Sequence, residues 1–277
     1  MNSEIVDGVV LPLRQVPAFD AIADDYDRIF THSIVGKAQR SLVQETVLRH
    51  LRPGQRILDL NCGTGEDAIW LASHGMSVLA CDISERMIVI AKQKAAGHDN
   101  GSDIDFAVCA NEELERLRSD APFDGVLSNF GGLNCTADLA AVANALPRLV
   151  RLRGSLFLCM LSRVCAWEIL WYTARGEWKK AFRRLENGGT EAKVGGTAFR
   201  VYYPSVREVE RVFAPSFKLV SWRAIGLALP PSWLASAFHD RPSIIDSLTG
   251  ADRLLGALPV LRGMGDHLLF HFVREKR

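Results

Sequence analysis

Two glycines, Gly63 and Gly65, stand at alternate positions after the apolar run Ile57-Leu58-Asp59-Leu60 and just before a helical pattern opening at Glu66. A strand that turns through glycines into a helix lets its backbone approach a ligand closely. The first free N–H groups of the helix then face a negative or polar atom. Open α/β sheets receive ligands at the carboxyl ends of their strands. A carboxylate, Asp82, closes the next apolar run, Val78-Leu79-Ala80-Cys81. An acid there can accept both hydroxyls of a ribose. Either feature alone has a plain structural explanation, since two-glycine loops are common and Asp82 would serve as a helix cap. In this order and spacing they specify a site for a nucleoside-bearing cofactor.

Two cofactor classes fit such a loop. A dinucleotide fold uses G-x-G-x-x-G, and here the third position is Ala68, which that fingerprint tolerates. Asp59, however, sits in the strand end, where a carboxylate is unwelcome beside a pyrophosphate and suits the ammonium of an amino-acid-bearing cofactor. The alternatives are a nicotinamide-dependent reductase or a non-catalytic regulatory protein that only binds the cofactor.

The stretch Leu58-Asp59-Leu60-Asn61-Cys62-Gly63-Thr64-Gly65 resembles the LDxGxGxG loop of class I S-adenosylmethionine (SAM)-dependent methyltransferases, particularly the ubiquinone/menaquinone type and its small-molecule relatives. Asn61 stands where the first glycine is usual. The resemblance covers about 19–160 and implies that Asp59, Asn61, Cys62, Gly63, Gly65 and Asp82 bind SAM, with Ile83 and Met87 flanking the adenine. Phe106-Ala107-Val108-Cys109-Ala110-Asn111-Glu112 aligns with the family's V-x-G-D-A-E. Ala110 replaces the acid that would accept the adenine amino group, leaving that edge to backbone atoms or Asn111. Asn129 and Phe130, after the strand Phe123–Ser128, are expected where cofactor and acceptor meet. Phe19-Asp20 through Tyr26-Asp27 resembles the family's N-terminal closing helix, with Tyr26 as the lid residue. The product would be S-adenosylhomocysteine.

These residues need a framework. From Arg56 to Met160, short apolar runs (Ile57–Leu60, Ser77–Cys81, Ile104–Cys109, Phe123–Ser128, Ser155–Leu161) alternate with helical patterns (Glu66–His74, Glu85–Ala96, Glu112–Arg118, Ala137–Val150). Alternation of this kind implies βαβ units. The expected fold is α/β: a Rossmann-like, seven-stranded, mostly parallel sheet with helices on both faces. The expected organisation is residues 1–50 as N-terminal lid helices and 51–277 as the SAM-binding domain. Two insertions, about 164–203 and 228–264, interrupt that domain and would form a cap. The first carries Trp167, Trp171 and Trp178 and a hairpin turning at Gly195-Gly196, where paired glycines supply positive φ. Trp167, Trp171, Phe199 and Tyr203 are expected to line an apolar acceptor chamber, although the same residues would equally serve a homodimer interface.

Methyl transfer needs alignment and exclusion of water, and a hydroxyl acceptor also benefits from a base. His32, Tyr26, Tyr202, Tyr203 and His239 are the candidates, with His32 and Tyr26 foremost. The formal net charge of +1 with 33 scattered basic residues argues against nucleic acid as a partner. The six cysteines form no CxxC pair, so they read as small buried apolar residues, with no metal site. Met1 to Gln15 does not read as a secretory signal. The apolar stretch from Ile225 to His239 is broken by Pro230-Pro231 and too short to span a bilayer, so a cytoplasmic protein acting on a small or lipid-like molecule is expected.

Overall fold

The computed structural model describes the backbone of residues 3–6 and 9–12, and residues 18–275 with their side chains. The signal-peptide reading of Met1–Gln15 therefore lies largely outside the described residues. Strands β1 (Ser3–Val6) and β2 (Val9–Pro12) pair antiparallel, so the segment expected as lid helices opens with a hairpin. Helical structure begins with a 3₁₀ turn, Ala18–Ile22, followed by α1 (Ala23–Tyr26), a π turn (Asp27–Thr31) and α2 (Ile34–Val47). The alternating region follows as β3 (Arg56–Leu60), α3 (Glu66–Ser73), β4 (Ser77–Asp82), α4 (Glu85–Ala95), β5 (Ile104–Val108), β6 (Phe123–Ser128), α5 (Leu139–Leu149) and β7 (Val150–Leu161). The remainder is α6 (Ala166–Thr173), α7 (Trp178–Phe182), β8 (Thr190–Val194), β9 (Thr197–Val201), α8 (Val206–Phe213), β10 (Phe217–Ile225), α9 (Pro242–Leu255) and β11 (His267–Arg274).

The main sheet has seven strands in the order β5-β4-β3-β6-β7-β11-β10. Strands β3 to β7 run parallel, and β11 is antiparallel to both its neighbours. The chain leaves β3 for β4 on one side and later returns to β6 on the other. The switch point, where a crevice must open, thus lies between β3 and β6.

Alternation along the strands splits the core by face. Leu58, Leu60, Val126, Leu156 and Leu158 pack with Val142 and Leu146 of α5 and Phe213 of α8. Ile57, Leu127 and Phe157 pack with Leu42 and Val43 of α2 and Leu71 of α3. Each such side chain, fully buried, contributes about 1.5–3 kcal/mol. Local signals set the helix starts. Ser84 accepts from the Met87 amide at 3.0 Å, Asp138 accepts from Ala141 at 3.0 Å, and Ser205 and Glu208 form a capping box.

The tryptophan-rich stretch after β7 is not one helix. Gly176, at φ +72°, ends α6 and starts the turn into α7. A buried ionic cluster holds this insertion to the sheet. Arg184 donates to Glu168 at 2.8 Å, to Asp266 at 2.7 Å and to the Ser162 carbonyl at 3.2 Å. All three charged side chains are almost fully buried, so removing one would strand the others without compensation. The stretch expected as a short helix, Glu112–Arg118, forms part of a 3₁₀ segment, Asn111–Asp120. Among the described residues, no helix is long and apolar enough to cross a membrane.

Candidate active site

A cavity of about 200 Å³ opens at the switch point, beside the carboxyl ends of the parallel strands. Asn61 and Gly63 after β3, Asp82, Ile83 and Met87 after β4, and Asn111 and Glu112 after β5 form one side. Asn129 to Gly132, Cys135 and Thr136 after β6 form the other, and Phe19 and Tyr26 close over it.

The loop after β3 turns through three left-handed residues, Asn61 (φ +61°), Gly63 (φ +53°) and Gly65 (φ +78°). A Cβ at Gly63 would meet only Tyr26, at 3.8 Å, and would otherwise enter the cavity. A Cβ at Gly65 would stand 2.9 Å from that of Ala91, so this glycine lets α4 pack against the loop. Asn is among the few L-residues that visit this region, and Asn61 is held there by its own side chain. Its Nδ2 donates to Asn111 Oδ1 at 3.0 Å, and its Oδ1 accepts from Ser128 at 3.1 Å. Asn111 in turn donates to Thr136 at 2.6 Å. Gly132 lacks a Cβ where the Asn61 side chain lies.

Asp82 is clamped by the loop it faces. One oxygen accepts from the Gly63 amide at 3.0 Å, the other from Ser84 at 2.9 Å. Burial pushes its carboxyl above the usual range against the pull of these amides. Each oxygen keeps a lone pair, so the carboxylate can still take two hydroxyls.

A smaller recess adjoins the cavity, lined by Tyr26, Thr31, Arg40, Asn61, Cys62, Gly63, Thr64, Glu66, Asp67, Asn129 and Phe130. Arg40 is ion-paired with Asp67 and lies 4.9 Å from the Phe130 ring centre. Asp67 also accepts from Asn129 at 2.9 Å and Gln44 at 3.2 Å. Arg40 Nε is buried without a partner. A cation and two carboxylates thus border one recess, complementary to a group bearing both charges.

Three acids fasten the segment over the site. Asp20 accepts from Ser84 Oγ, Asp24 from Arg86 at 2.7 Å, and Asp27 from Thr64 at 2.6 Å and Lys94 at 2.9 Å.

Of the residues expected at the cofactor, Asn61, Gly63, Asp82, Ile83, Met87, Asn111, Asn129 and Phe130 line the cavity, with Tyr26 over it, while Cys62 reaches the recess. Three expectations are corrected. Asp59 is only 1% exposed and lies beneath the loop, one oxygen unpartnered, its carboxyl raised well above the usual range by burial and by Asp67. Gly65 packs on Ala91 and Ala110 is buried, and neither lines the cavity or the recess. Asn111 faces the cavity but spends its amide on Asn61 and Thr136.

The catalytic expectations change more. His32 ends the π turn with its amide on the Asp27 carbonyl and its side chain exposed, and it lines neither cavity nor recess. Tyr26 is in place, but burial, aided by nearby Asp82, pushes its hydroxyl up to about 12, which leaves it protonated and unable to act as a base near neutrality. The acceptor residues separate as well. Trp167 and Trp171 line a different, apolar groove with Leu227, Ala228 and Leu248, because Trp167 Nε1 donates to the Ala228 carbonyl at 3.1 Å. Tyr203 and Tyr202 line a third hollow beside Asn187 to Gly189. Phe199 touches the cavity only through Phe19, ring centres 5.4 Å apart. His239 is exposed.

Sequence reasoning missed Glu112, Gly131, Gly132, Cys135 and Thr136 in the cavity, and Arg40 and Asp67 in the recess. The adjacent glycines after Asn129 were a readable sign of close approach. Arg40 had none, since it reads as one more cation on an amphipathic helix.

Residues 57–154 match the family described as a methyltransferase domain. A demethylmenaquinone methyltransferase from Beutenbergia cavernae is 31% identical over 146 residues, 52% of this chain and 56% of that one. A tRNA 5-carboxymethoxyuridine methyltransferase from Escherichia coli is 30% identical over 144 residues, 50% and 54% of the respective chains. The chain spans about half the length of the curated relatives it matches. Among solved structures, a Listeria monocytogenes chain named for S-adenosylmethionine-dependent methyl transfer superposes with a TM-score of 0.61 at 20% identity. It covers 87% of this chain and 99% of its own, a likeness of fold. Residues 57–154 are thus similar to a methyltransferase domain, and the described chain shares a seven-stranded Rossmann-like fold with that Listeria structure.

Proposed function

We propose that this chain binds SAM across the cavity and its recess and transfers the methyl group to a small, apolar acceptor beside Asn129 and Phe130. The observation that carries this reading is the clamped Asp82 carboxylate facing a left-handed Gly63, whose missing Cβ leaves ligand space, next to a recess bordered by opposite charges. The residues fit the cofactor. Asp82 would take the ribose hydroxyls, Ile83 and Met87 the adenine faces, and Arg40 with its spare Nε the carboxylate of the amino-acid end. Glu66 and Asp67 supply the negative charge for the ammonium, the role the sequence assigned to Asp59. When bound, SAM supplies a methyl group on a positively charged sulfur, a leaving group that needs no further activation.

The chain's own part is to orient and to exclude water. Phe19, Tyr26, Phe30 and Phe130 form an aromatic cluster over and beside the cavity, with successive ring centres 5.0–6.4 Å apart. Tyr26 remains a neutral phenol and can donate, but not accept, a proton. Among the described residues no histidine lines cavity or recess. A phenolic or enolic ring, acidic by itself, would need least help from the chain, in keeping with a lipid-like or small aromatic substrate. Titration calorimetry with SAM, S-adenosylhomocysteine and NADH tests the reading. SAM and its product are expected to bind one per chain and NADH not to bind; the reverse result overturns it.

A further inference from the structure

The apolar residues that do not reach the cavity form a surface of their own. Leu170 is 68% exposed, Trp178 62%, Trp233 42% and Phe182 41%. They are joined by packing. Trp233 contacts Trp171 at 5.8 Å and stacks on Tyr172 at 5.7 Å, and Trp178 stacks on Phe182 at 6.5 Å. Tyr172 of α6 meets Lys180 of α7 and Arg183 just after it, which ties the two helices into one face. Between α6 and the chain after β10 runs an apolar groove of about 440 Å³, lined by Leu170, Trp171, Leu227 and Leu248, with Arg175 at its side. Contiguous exposed apolar area of this kind marks an interaction site, unlike single exposed residues.

The charges around it choose the occupant. Arg175 lies over the Trp171 ring at 3.5 Å, and neither Arg175 nor the exposed Lys179 pairs with a carboxylate among the described residues. Glu177 is taken by Lys180, and Glu168 is buried with Arg183 and Arg184. Along α6 and α7 this leaves Arg175 and Lys179 as unpaired cations beside the exposed rings, on a chain whose formal net charge is +1. Exposed tryptophan and leucine beside lysine and arginine suit the boundary of an anionic bilayer, where aromatic rings sit at headgroup depth and cations meet phosphate.

We propose that α6, α7 and the 232–238 turn form a docking face for an anionic lipid surface, with the groove open to an acyl chain. This face stands apart from the SAM site and does not rest on it. Co-sedimentation of the full chain with vesicles of equal phosphatidylglycerol and phosphatidylcholine tests it, against vesicles of phosphatidylcholine alone. Binding is expected to the anionic vesicles and to weaken in salt. Lys179→Ala, fully compatible with folding at an exposed site, is expected to lower the partition coefficient about fivefold, one surface charge's share. Leu170→Glu with Trp178→Glu is expected to abolish it, with circular dichroism unchanged. The proposal is overturned by absent partition, by equal partition into both vesicles, or by wild-type partition of these variants. A solution dimer dissolved by the double substitution also overturns it.

Discussion

The two loop glycines look alike in sequence but should fail differently when each becomes alanine. At Gly65 (φ +78°), the left-handed backbone costs an L-residue about 1–2 kcal/mol. The new Cβ would also stand 2.9 Å from the Cβ of Ala91, which is fully buried in α4, so overpacking adds about 1–3 kcal/mol. Reduced freedom of the unfolded chain returns about 0.4–1 kcal/mol, leaving a net loss of about 2–4 kcal/mol. At Gly63 (φ +53°) the backbone cost is the same, but the Cβ meets only Tyr26 at 3.8 Å, so stability should fall by about 1 kcal/mol or less. That Cβ instead takes cofactor space, and SAM affinity should drop by at least about tenfold, or about 1.4 kcal/mol. Gly63→Val should remove binding altogether. Urea unfolding of the free proteins and calorimetry with SAM separate the effects. Equal stability losses at both positions, or near-normal SAM affinity for Gly63→Ala, would refute the assignment of one glycine to packing and the other to the ligand.

Asp82→Ala should weaken SAM by about 1–3 kcal/mol, the cost of losing hydrogen bonds to a charged acceptor; unchanged affinity in calorimetry would reduce Asp82 to a brace for the Gly63 and Ser84 amides. His271, stacked on Phe157 at 4.6 Å and 4.1 Å from the His50 ring, is held down to about 4 by burial and by His50. Its folded form resists protonation, so its stability contribution is complete above about pH 6.5 and disappears as pH falls towards 4. With partial screening by solvent, the loss is about 2 kcal/mol. Thermal unfolding between pH 7 and 4 should show this fall, and His271→Gln should flatten it; an equally steep profile in the variant would assign the acid sensitivity elsewhere.

Local chemistry was legible in the amino-acid sequence itself. Alternating apolar runs determined β3 to β7 and α3, α4 and α5 between them, though not the 3₁₀ form of 111–120, because a parallel sheet needs buried strands and crossover connections. Ser84 determined where α4 starts, because a cap acts within four residues, whereas the caps Asp138 and Ser205 emerge from the structure. The pair Gly63 and Asp82 marked the cavity, because its geometry depends on one turn and the next strand end. Tertiary structure alone decided which charges face the ligand space. Asp59 and Asp67 are eight residues apart in sequence, yet strand pleating sinks the first beneath the loop while α3 presents the second beside Arg40. The tryptophans of the first insertion were legible as apolar but not as to destination, since hydrophobic attraction carries no direction. The cluster of Glu168, Arg184 and Asp266, drawn from widely separated positions, holds that insertion against the sheet, and Trp167's bond to Ala228 turns its ring to a groove of its own.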